Sequence, residues 1–397
     1  MTYRRTRSRR TTLAATLAVL ALGAAACGGG EEAAEAPAEE APAEEAPAEE
    51  AAAGGLESCP ETVVVQLDWE PEAEHGMIYQ LLGSPYEVDT ELKRVRGPLV
   101  SSGEDTGLDI EIRIGGSAVG FQDAQSLLYQ DPDITFGFGR VGETMTTQGD
   151  LPVISVMTTM EKSPYSIYWD PETYPDAETI ADLKDENVTV LVGAAGLNVW
   201  VNYFVAEGIW NEGQADFSDS PKPASFIAAG GDVAEAGFAT AEPYLYETLL
   251  ADDWGKPVKI ALIHDTGFEE YFQSLTVRPD DVTEKADCFT ALVPIFQQGI
   301  VDYVANPGPV HDVVVDLVTQ YDTGWLYDLG TAEYAYDGML ELGILGNGSD
   351  GAVGSFDTAR VEGLRDIIAA VTDFDVAGLS ADDVVTNQFI DSSISLP

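Results

Sequence analysis

From residue 61 onward, short runs rich in valine and isoleucine alternate with segments of helical spacing, and this alternation restricts the chain to an α/β architecture. ETVVVQLDW (61–69) reads as a strand and EHGMIYQLLG (74–83) as a helix ending at glycine. LDIEIRIGG (108–116) alternates apolar and charged residues, the period of a second strand. FQDAQSLLYQ (121–130) is a helix, DITFGFG (133–139) a third strand and LPVISVMTTM (151–160) a fourth. A βαβαβ rhythm of this kind builds a parallel sheet with helices on its faces. The rhythm then restarts. ETIADLKDE (177–186) is predicted as a helix, NVTVLVG (187–193) as a strand and GLNVWVNYFVAEGIW (196–210) as a helix. PASFIAAGG (223–231) is predicted as a strand, VAEAGFAT (233–240) as a short helix and VKIALIH (258–264) as a strand. After that the pattern is mostly helical, over 287–305, 311–322 and 358–373.

Two α/β units followed by a long helical return predict two lobes, the first of them discontinuous. Residues 58–165 and 270–397 are expected in lobe I and 166–269 in lobe II. The alternative, two independent α/β domains in series, leaves the helical tail with too few strands. Residues 58–397 also exceed what one compact core accommodates. A ligand would lie between the lobes, outside the carboxyl ends of the strands. SPYSIYWDP and FEEYFQSLTVRP are then the crossing segments and hinge candidates.

The N-terminus reads as an export signal. Arg4, Arg5, Arg7, Arg9 and Arg10 form a basic region ahead of an apolar, small-residue run at 13–26 that is too short to span a bilayer comfortably. Ala24-Ala25-Ala26 stand directly before Cys27. Cleavage there would expose a thiol for lipidation, so residues 1–26 are expected to be a lipoprotein signal and Cys27 the anchor. The competing reading is an ordinary signal peptide whose apolar stretch happens to contain a cysteine. Arg9-Arg10 fits twin-arginine export or plain charge, and both stay open. Residues 27–57 follow as an acidic tether, with APAEE repeated at 36–40, 41–45 and 46–50. Such a composition buries nothing, and proline with like-charge repulsion extends it. No later apolar run looks long enough to span a membrane.

The sequence carries 69 Asp and Glu against 19 Lys and Arg. A surface of that sign repels nucleic acid and anionic lipid. It reads first as a solvated surface, whether or not adapted to high salt, and second as one aimed at a cationic ligand. With Cys27 lipidated, Cys59 and Cys288 remain, and an exported chain with two spare cysteines often pairs them. His75, His264 and His311 lie far apart without metal-ligand spacing, so neither a metal nor a cofactor is expected. No G-x-S-x-G, Walker or zinc signature occurs, and no enzymatic chemistry is expected.

Candidate ligand contacts cluster at strand ends. The loop Asp68-Trp69-Glu70-Pro71-Glu72-Ala73-Glu74-His75-Gly76 follows the first strand. Trp69 there can stack a planar or quaternary ligand, and His75 can exchange one hydrogen bond. The competing roles are a lobe-core cap for Trp69 and a surface position for His75. Ser117 follows the second strand, Phe138 and Arg140 close the third, and Thr158 closes the fourth. Asn198 ends the loop from Gly193, whose backbone N–H groups at a helix start suit an anion or carbonyl; close helix–strand packing is its alternative. Glu242 and Tyr244 flank Pro243, and a carboxylate there favours a ligand with amine or N–H donors. Trp169 and Trp200 read as core more readily than as cleft walls.

LDWEPEAEHGMIY resembles the opening of a family of solute-binding proteins that serve nitrate, sulfonate, taurine, riboflavin and thiamine-pyrimidine-precursor importers. Asp68, Trp69, Pro71, His75 and Tyr79 occupy the places of that family's opening motif. GGSAVGFQDAQSLLYQDPDITFGF, ATAEPYLYE (239–247) and VTNQFID (385–391) extend the likeness more weakly. The resemblance implies a two-lobed periplasmic-binding-protein (type II) fold and a monomeric, extracytoplasmic component of an ABC importer that hands a small solute to a membrane permease. GSPYEVDTELKRVRGPLVSSGEDTG (83–107) departs from the family by its length and reads as an added hairpin or a loop over the cleft mouth. A eukaryotic branch of the family makes thiamine pyrimidine from a lysine-bound pyridoxal phosphate and a histidine. His75 stands where that histidine is expected, but no lysine follows the third strand, where Arg140 occurs instead. Aromatic and acidic candidates outnumber basic ones, so the solute expected is a planar, nitrogen-containing heterocycle such as a pyrimidine, ahead of sulfonate, taurine or nitrate. A surface lipoprotein without a transport role, or a pyrimidine-synthase-like enzyme, is the alternative.

Overall fold

The computed structural model describes residues 55–193, 199–218 and 221–397. The first run comprises β1 (Thr62–Gln66), α1 (Gly76–Tyr79), β2 (Glu87–Asp89), β3 (Arg94–Ser101), β4 (Glu104–Arg113), α2 (Ala124–Gln130), β5 (Phe136–Gly139), α3 (Val141–Thr147) and β6 (Ile154–Thr158). The second comprises β7 (Tyr165–Trp169), α4 (Asp182–Asp185), β8 (Thr189–Leu191), α5 (Val199–Ala206), β9 (Ala215–Asp216), α6 (Pro223–Ala228), β10 (Val233–Phe238), α7 (Glu242–Tyr244) and β11 (Lys259–Leu262). The return is β12 (Ser274–Val277), α8 (Pro279–Glu284), α9 (Ala286–Ala305), α10 (Gly308–Tyr321), α11 (Leu329–Glu341) and α12 (Thr358–Val371).

These strands form two mixed sheets, ordered β2-β3-β4-β1-β5-β12-β6 and β11-β7-β10-β8-β9. β1 lies parallel to β4 and β5, while β12 inserts antiparallel between β5 and β6. The chain therefore leaves the first sheet after β6, builds the second and returns through β12. The long 83–107 segment is the outer part of the first sheet: β2 and β3 pair antiparallel and β3 pairs with β4.

Two elements of the second run exchange identity with the expectation. Residues 223–228, read as a strand, are helix α6, and 233–238, read as a helix, are strand β10. Pro223 occupies the first helical turn, where its fixed φ and missing N–H are tolerated, and Gly230 and Gly231 turn the chain at positive φ. Val-Ala-Glu-Ala-Gly-Phe has helix-leaning composition, but it lies between β7 and β8, and small side chains suit a strand covered on both faces. The helix expected over 177–186 is limited to Asp182–Asp185.

α9 is long and apolar enough to cross a membrane, contrary to the sequence reading, yet Phe289, Leu292, Val293, Phe296 and Ile300 are buried in the first core. Gly76 and Gly299 let α1 approach it closely. A Cβ on Gly76 would stand 2.2 Å from the Tyr303 ring, and one on Gly299 2.9 Å from the Met77 carbonyl. Cys59 and Cys288, with Cα atoms 4.9 Å apart, form a disulfide that ties the start of the described chain to α9.

The second core gathers Ile167, Trp169, Val190, Trp200, Phe204 and Ala236. It also takes in Val141 and Met145 of α3, and Phe356, Val361, Leu364, Ile368 and Val385 from the C-terminal stretch. That stretch touches the first sheet as well, where Val385 bridges Ser155. Arg360 of α12 fastens both crossings between the sheets. Its guanidinium donates to the Glu161 and Glu269 carbonyls at 2.8 and 2.7 Å and lies 3.7 Å over the Tyr271 ring.

Candidate functional site

The strand tips of the two sheets meet around the loop that follows β1. Its backbone is clasped by the turn after β4, whose Gly115 and Gly116 donate to the Trp69 and Asp68 carbonyls at 2.9 and 3.2 Å. Gly115 is required there, because a Cβ would fall 2.3 Å from the Asp68 carbonyl carbon. Held this way, the alternation Asp68, Glu70, Glu72, Glu74 places four carboxylates in one short loop.

His75 is fully buried. Its Nε2 lies 2.8 Å from Asp68 Oδ1 and 3.2 Å from Gln273 Nε2, and its ring stands edge-on to Phe138 at 5.2 Å. Burial opposes ionisation of Asp68, but the His75 hydrogen bond and the charges of His75 and Arg140 overcome it and hold the carboxyl below its ordinary value. Glu70 is anchored by hydroxyl donors, Ser117 at 2.6 Å and Thr323 at 3.0 Å.

Glu72, Glu74 and Glu242 lack comparable anchoring by basic groups. Burial, then Glu74, Asp68, Glu242 and Glu70, push Glu72 well above the usual carboxylate range. Burial raises Glu74 too, against partial relief from Thr240. Burial lifts Glu242 to about 8, although its Oε2 accepts the Phe238 N–H at 2.7 Å; Glu74 and Glu235 add to the rise. Carboxylates of the loop after β1 and of the tip of the second sheet therefore feel one another's charge.

Arg140, at the end of β5, stacks 4.2 Å over Phe272. Phe272, Tyr165 and Phe238 form an aromatic floor from both crossings and the tip of β10, with centroids 5.5 to 6.1 Å apart. Burial raises Glu143, and lifts Glu270 to about 7, while Arg140 offsets part of each. A second aromatic group lines the other side. The Trp69 ring lies 6.0 Å from both Phe121 and Trp325, Trp325 stacks on Tyr327 at 6.3 Å, and Tyr327 accepts the Ala73 N–H at 2.7 Å.

Of the candidates, Trp69 packs with Phe121 and Trp325, Arg140 stacks on Phe272, and Glu242 accepts the Phe238 N–H. His75 and Ser117 hydrogen-bond to Asp68 and Glu70. Phe138 packs into the first core beneath His75, and the Thr158 hydroxyl is engaged inward, donating to Met160 O at 2.8 Å. Tyr244 sits at the contact between sheets, its ring 5.9 Å from Tyr334 and its hydroxyl against Gly330. Trp169 and Trp200 are core residues. Asn198 and Cys27 lie outside the described residues. Glu72, Glu74, Glu143, Glu270, Phe272 and Trp325 were not singled out as contacts, though the acidic alternation after β1 was a visible signal for the first two.

No protein-family model matches the chain, and no curated protein matches it. Solved structures do. A protein from Bordetella bronchiseptica RB50 superposes with a TM-score of 0.53 at 16% identity, over 83% of this chain and 96% of that one. The periplasmic aliphatic sulphonate binding protein from Escherichia coli gives 0.51 at 12% identity, over 84% and 92%. The ligand binding component of an ABC-type import system from Staphylococcus aureus, solved with zinc bound, gives 0.51 at 10% identity, over 83% and 98%. Likeness over nearly the whole of those chains shows that this chain has the periplasmic-binding-protein fold.

Proposed function

We propose that this chain is the extracytoplasmic, lipid-anchored solute-binding component of an ABC importer. It captures a small nitrogen-bearing organic solute between two lobes and presents it to a membrane permease, without performing chemistry. We take the lobes to be those expected from sequence, 58–165 with 270–397 and 166–269; the two sheets support this division, and Phe356, Val361 and Val385 contribute to the second core as well. The export signal, Cys27 and the acidic tether support the location, and the fold supports the mode of capture. One observation carries the choice of solute: the loop after β1 sets Glu70 beside the Trp69 ring, both against Gly116, and Glu72 of the same loop feels the charge of Glu242 from the second sheet. Carboxylate acceptors and aromatic faces favour a planar heterocycle with ring N–H or amino groups, such as a pyrimidine. A sulfonate needs donors, and Arg140 is the one basic side chain that stacks at this junction among the described residues.

The test is a thermal-shift screen of the full chain with pyrimidines, flavins, sulfonates, nitrate and amino acids. A ligand present at a hundred times its Kd stabilises by about 2.7 kcal/mol. The expected hit is a nitrogen heterocycle whose effect is lost in Trp69→Ala. A hit indifferent to that change defeats the placement of the site, and a silent screen favours a surface lipoprotein with no transport role.

A further inference from the structure

We propose that the solute is a planar heteroaromatic acid whose carboxylate is held by Arg140 and whose ring lies against Tyr165 and Phe238. The inference rests on the solute-binding reading above and adds an acidic group to the guest.

Arginine in this chain is otherwise committed. Among the described residues Arg94, Arg96, Arg113, Arg278, Arg360 and Arg365 each pair with a carboxylate, at 2.6 to 3.2 Å. Arg140 does not. It donates no hydrogen bond to a described residue, and no described carboxylate lies within ion-pair distance of it; its contact is the Phe272 ring. With 69 Asp and Glu against 19 Lys and Arg, carboxylates are in surplus, so an arginine left without one is held away from them by its surroundings.

Those surroundings are rigid. Arg140 follows β5, where Gly139 pairs with Ser274 of β12. The start of α3 is fastened to the crossing beside it: the Val141 N–H donates to the Tyr271 carbonyl and the Gly142 N–H to Glu270 Oε1, both at 3.1 Å. Between these contacts the guanidinium carbon sits 4.2 Å over the buried Phe272 ring. A guanidinium on an aromatic face keeps its charge, and its N–H edge stays available. Asp68, Glu143 and Glu270 share the field of Arg140 without reaching ion-pair distance. They leave room for one negative charge and weigh against a dianion such as phosphate.

The ring surface comes from the second sheet. Tyr165 and Phe238 are cross-strand partners at the tips of β7 and β10, with rings 5.5 Å apart, and they lie 6.1 and 5.6 Å from Phe272. Tyr165 is inclined 31° to Phe272 and Phe238 76°, a near-parallel face and an upright edge for a flat ring. Arg140, Tyr165 and Phe238 are each half-buried and keep part of their surface for a guest. The Tyr165 hydroxyl has no hydrogen bond to a described residue, and burial pushes its pKa to about 12, so it remains a donor. A guanidinium fork matches the two coplanar oxygens of a carboxylate, whereas the three oxygens of a sulfonate do not share a plane.

The experiment is isothermal titration calorimetry of the full chain at pH 7 with nicotinate, nicotinamide, pyridine-3-sulfonate, cyclohexanecarboxylate and uracil. Nicotinate should bind at least about tenfold more tightly than nicotinamide, which keeps the ring and loses the charge. It should also exceed pyridine-3-sulfonate, which alters the headgroup, and cyclohexanecarboxylate, which loses the flat ring. In Arg140→Met, which keeps a chain over Phe272, the preference for nicotinate over nicotinamide should fall to about one. Arg140→Lys, a charge without the fork, should keep at most about a tenth of the nicotinate affinity. A merely structural Arg140 would lower the melting temperature in both variants and leave the preference intact. If nicotinamide or uracil binds as tightly as nicotinate, the acid inference fails while the solute-binding reading stands. A preference for the sulfonate, or a nicotinate preference that survives Arg140→Met, overturns the inference. If no probe binds, the inference fails, and the wider thermal-shift screen decides the solute-binding reading separately.

Discussion

Replacing Glu242 by glutamine should stabilise the unliganded protein, and only at pH values where the carboxylate would ionise. In the fold its proton is held up to about 8, against an ordinary 4.5. A carboxyl whose folded value is raised is favoured in its neutral form by the fold. Its effect on stability is therefore absent below about 4.5 and becomes an increasing penalty as pH rises toward 8. At about 1.4 kcal/mol per tenfold change in proton affinity, the full penalty above pH 8 is on the order of 5 kcal/mol. Relaxation and water entry reduce such figures, so we expect about 2–4 kcal/mol in practice. Glutamine keeps an oxygen for the Phe238 N–H, now at 2.7 Å, and removes the charge. Guanidinium unfolding of wild type and Glu242→Gln at pH 5 and pH 8.5 measures it. The two proteins should be nearly equal at pH 5, and the variant more stable at pH 8.5 by the stated amount. A variant less stable at pH 8.5, or equally displaced at both pH values, would refute the claim that Glu242, half-buried, is desolvated near like charges.

Three further outcomes follow from packing. Reducing the Cys59–Cys288 disulfide, which spans 229 residues of sequence, releases an unfolded-state constraint of about 5 kcal/mol by loop entropy. Strain and residual structure leave about 2–4 of that in the denaturation midpoint with and without reductant; no change would mean the bond does not form. Arg360→Met removes the donor to the Glu161 and Glu269 carbonyls and the cover on Tyr271, and should cost about 3 kcal/mol in chemical denaturation. Gly76→Ala forces a methyl against the Tyr303 ring, and overpacking of about 1–3 kcal/mol should appear as a lowered melting temperature.

Strands rich in branched residues were legible because Val63, Val65, Ile110 and Ile112 are buried and nothing else in those segments competes. The exchange of α6 and β10 was not, because alanine and glycine state no preference that burial between β7 and β8 cannot override. The C-terminal stretch was assigned to one lobe by order in the chain. Its contribution to the second core depends on α12 meeting α3 and α5, and local pattern does not encode that meeting. The site divides in the same way. Trp69 and the acids after β1 announce themselves in one loop, whereas Trp325, Tyr327, Phe272 and Glu270 reach it from distant segments. Phe138 and Thr158 show the converse: their place at strand ends was read correctly, but the side chains turn inward, and facing is settled by sheet twist and neighbours.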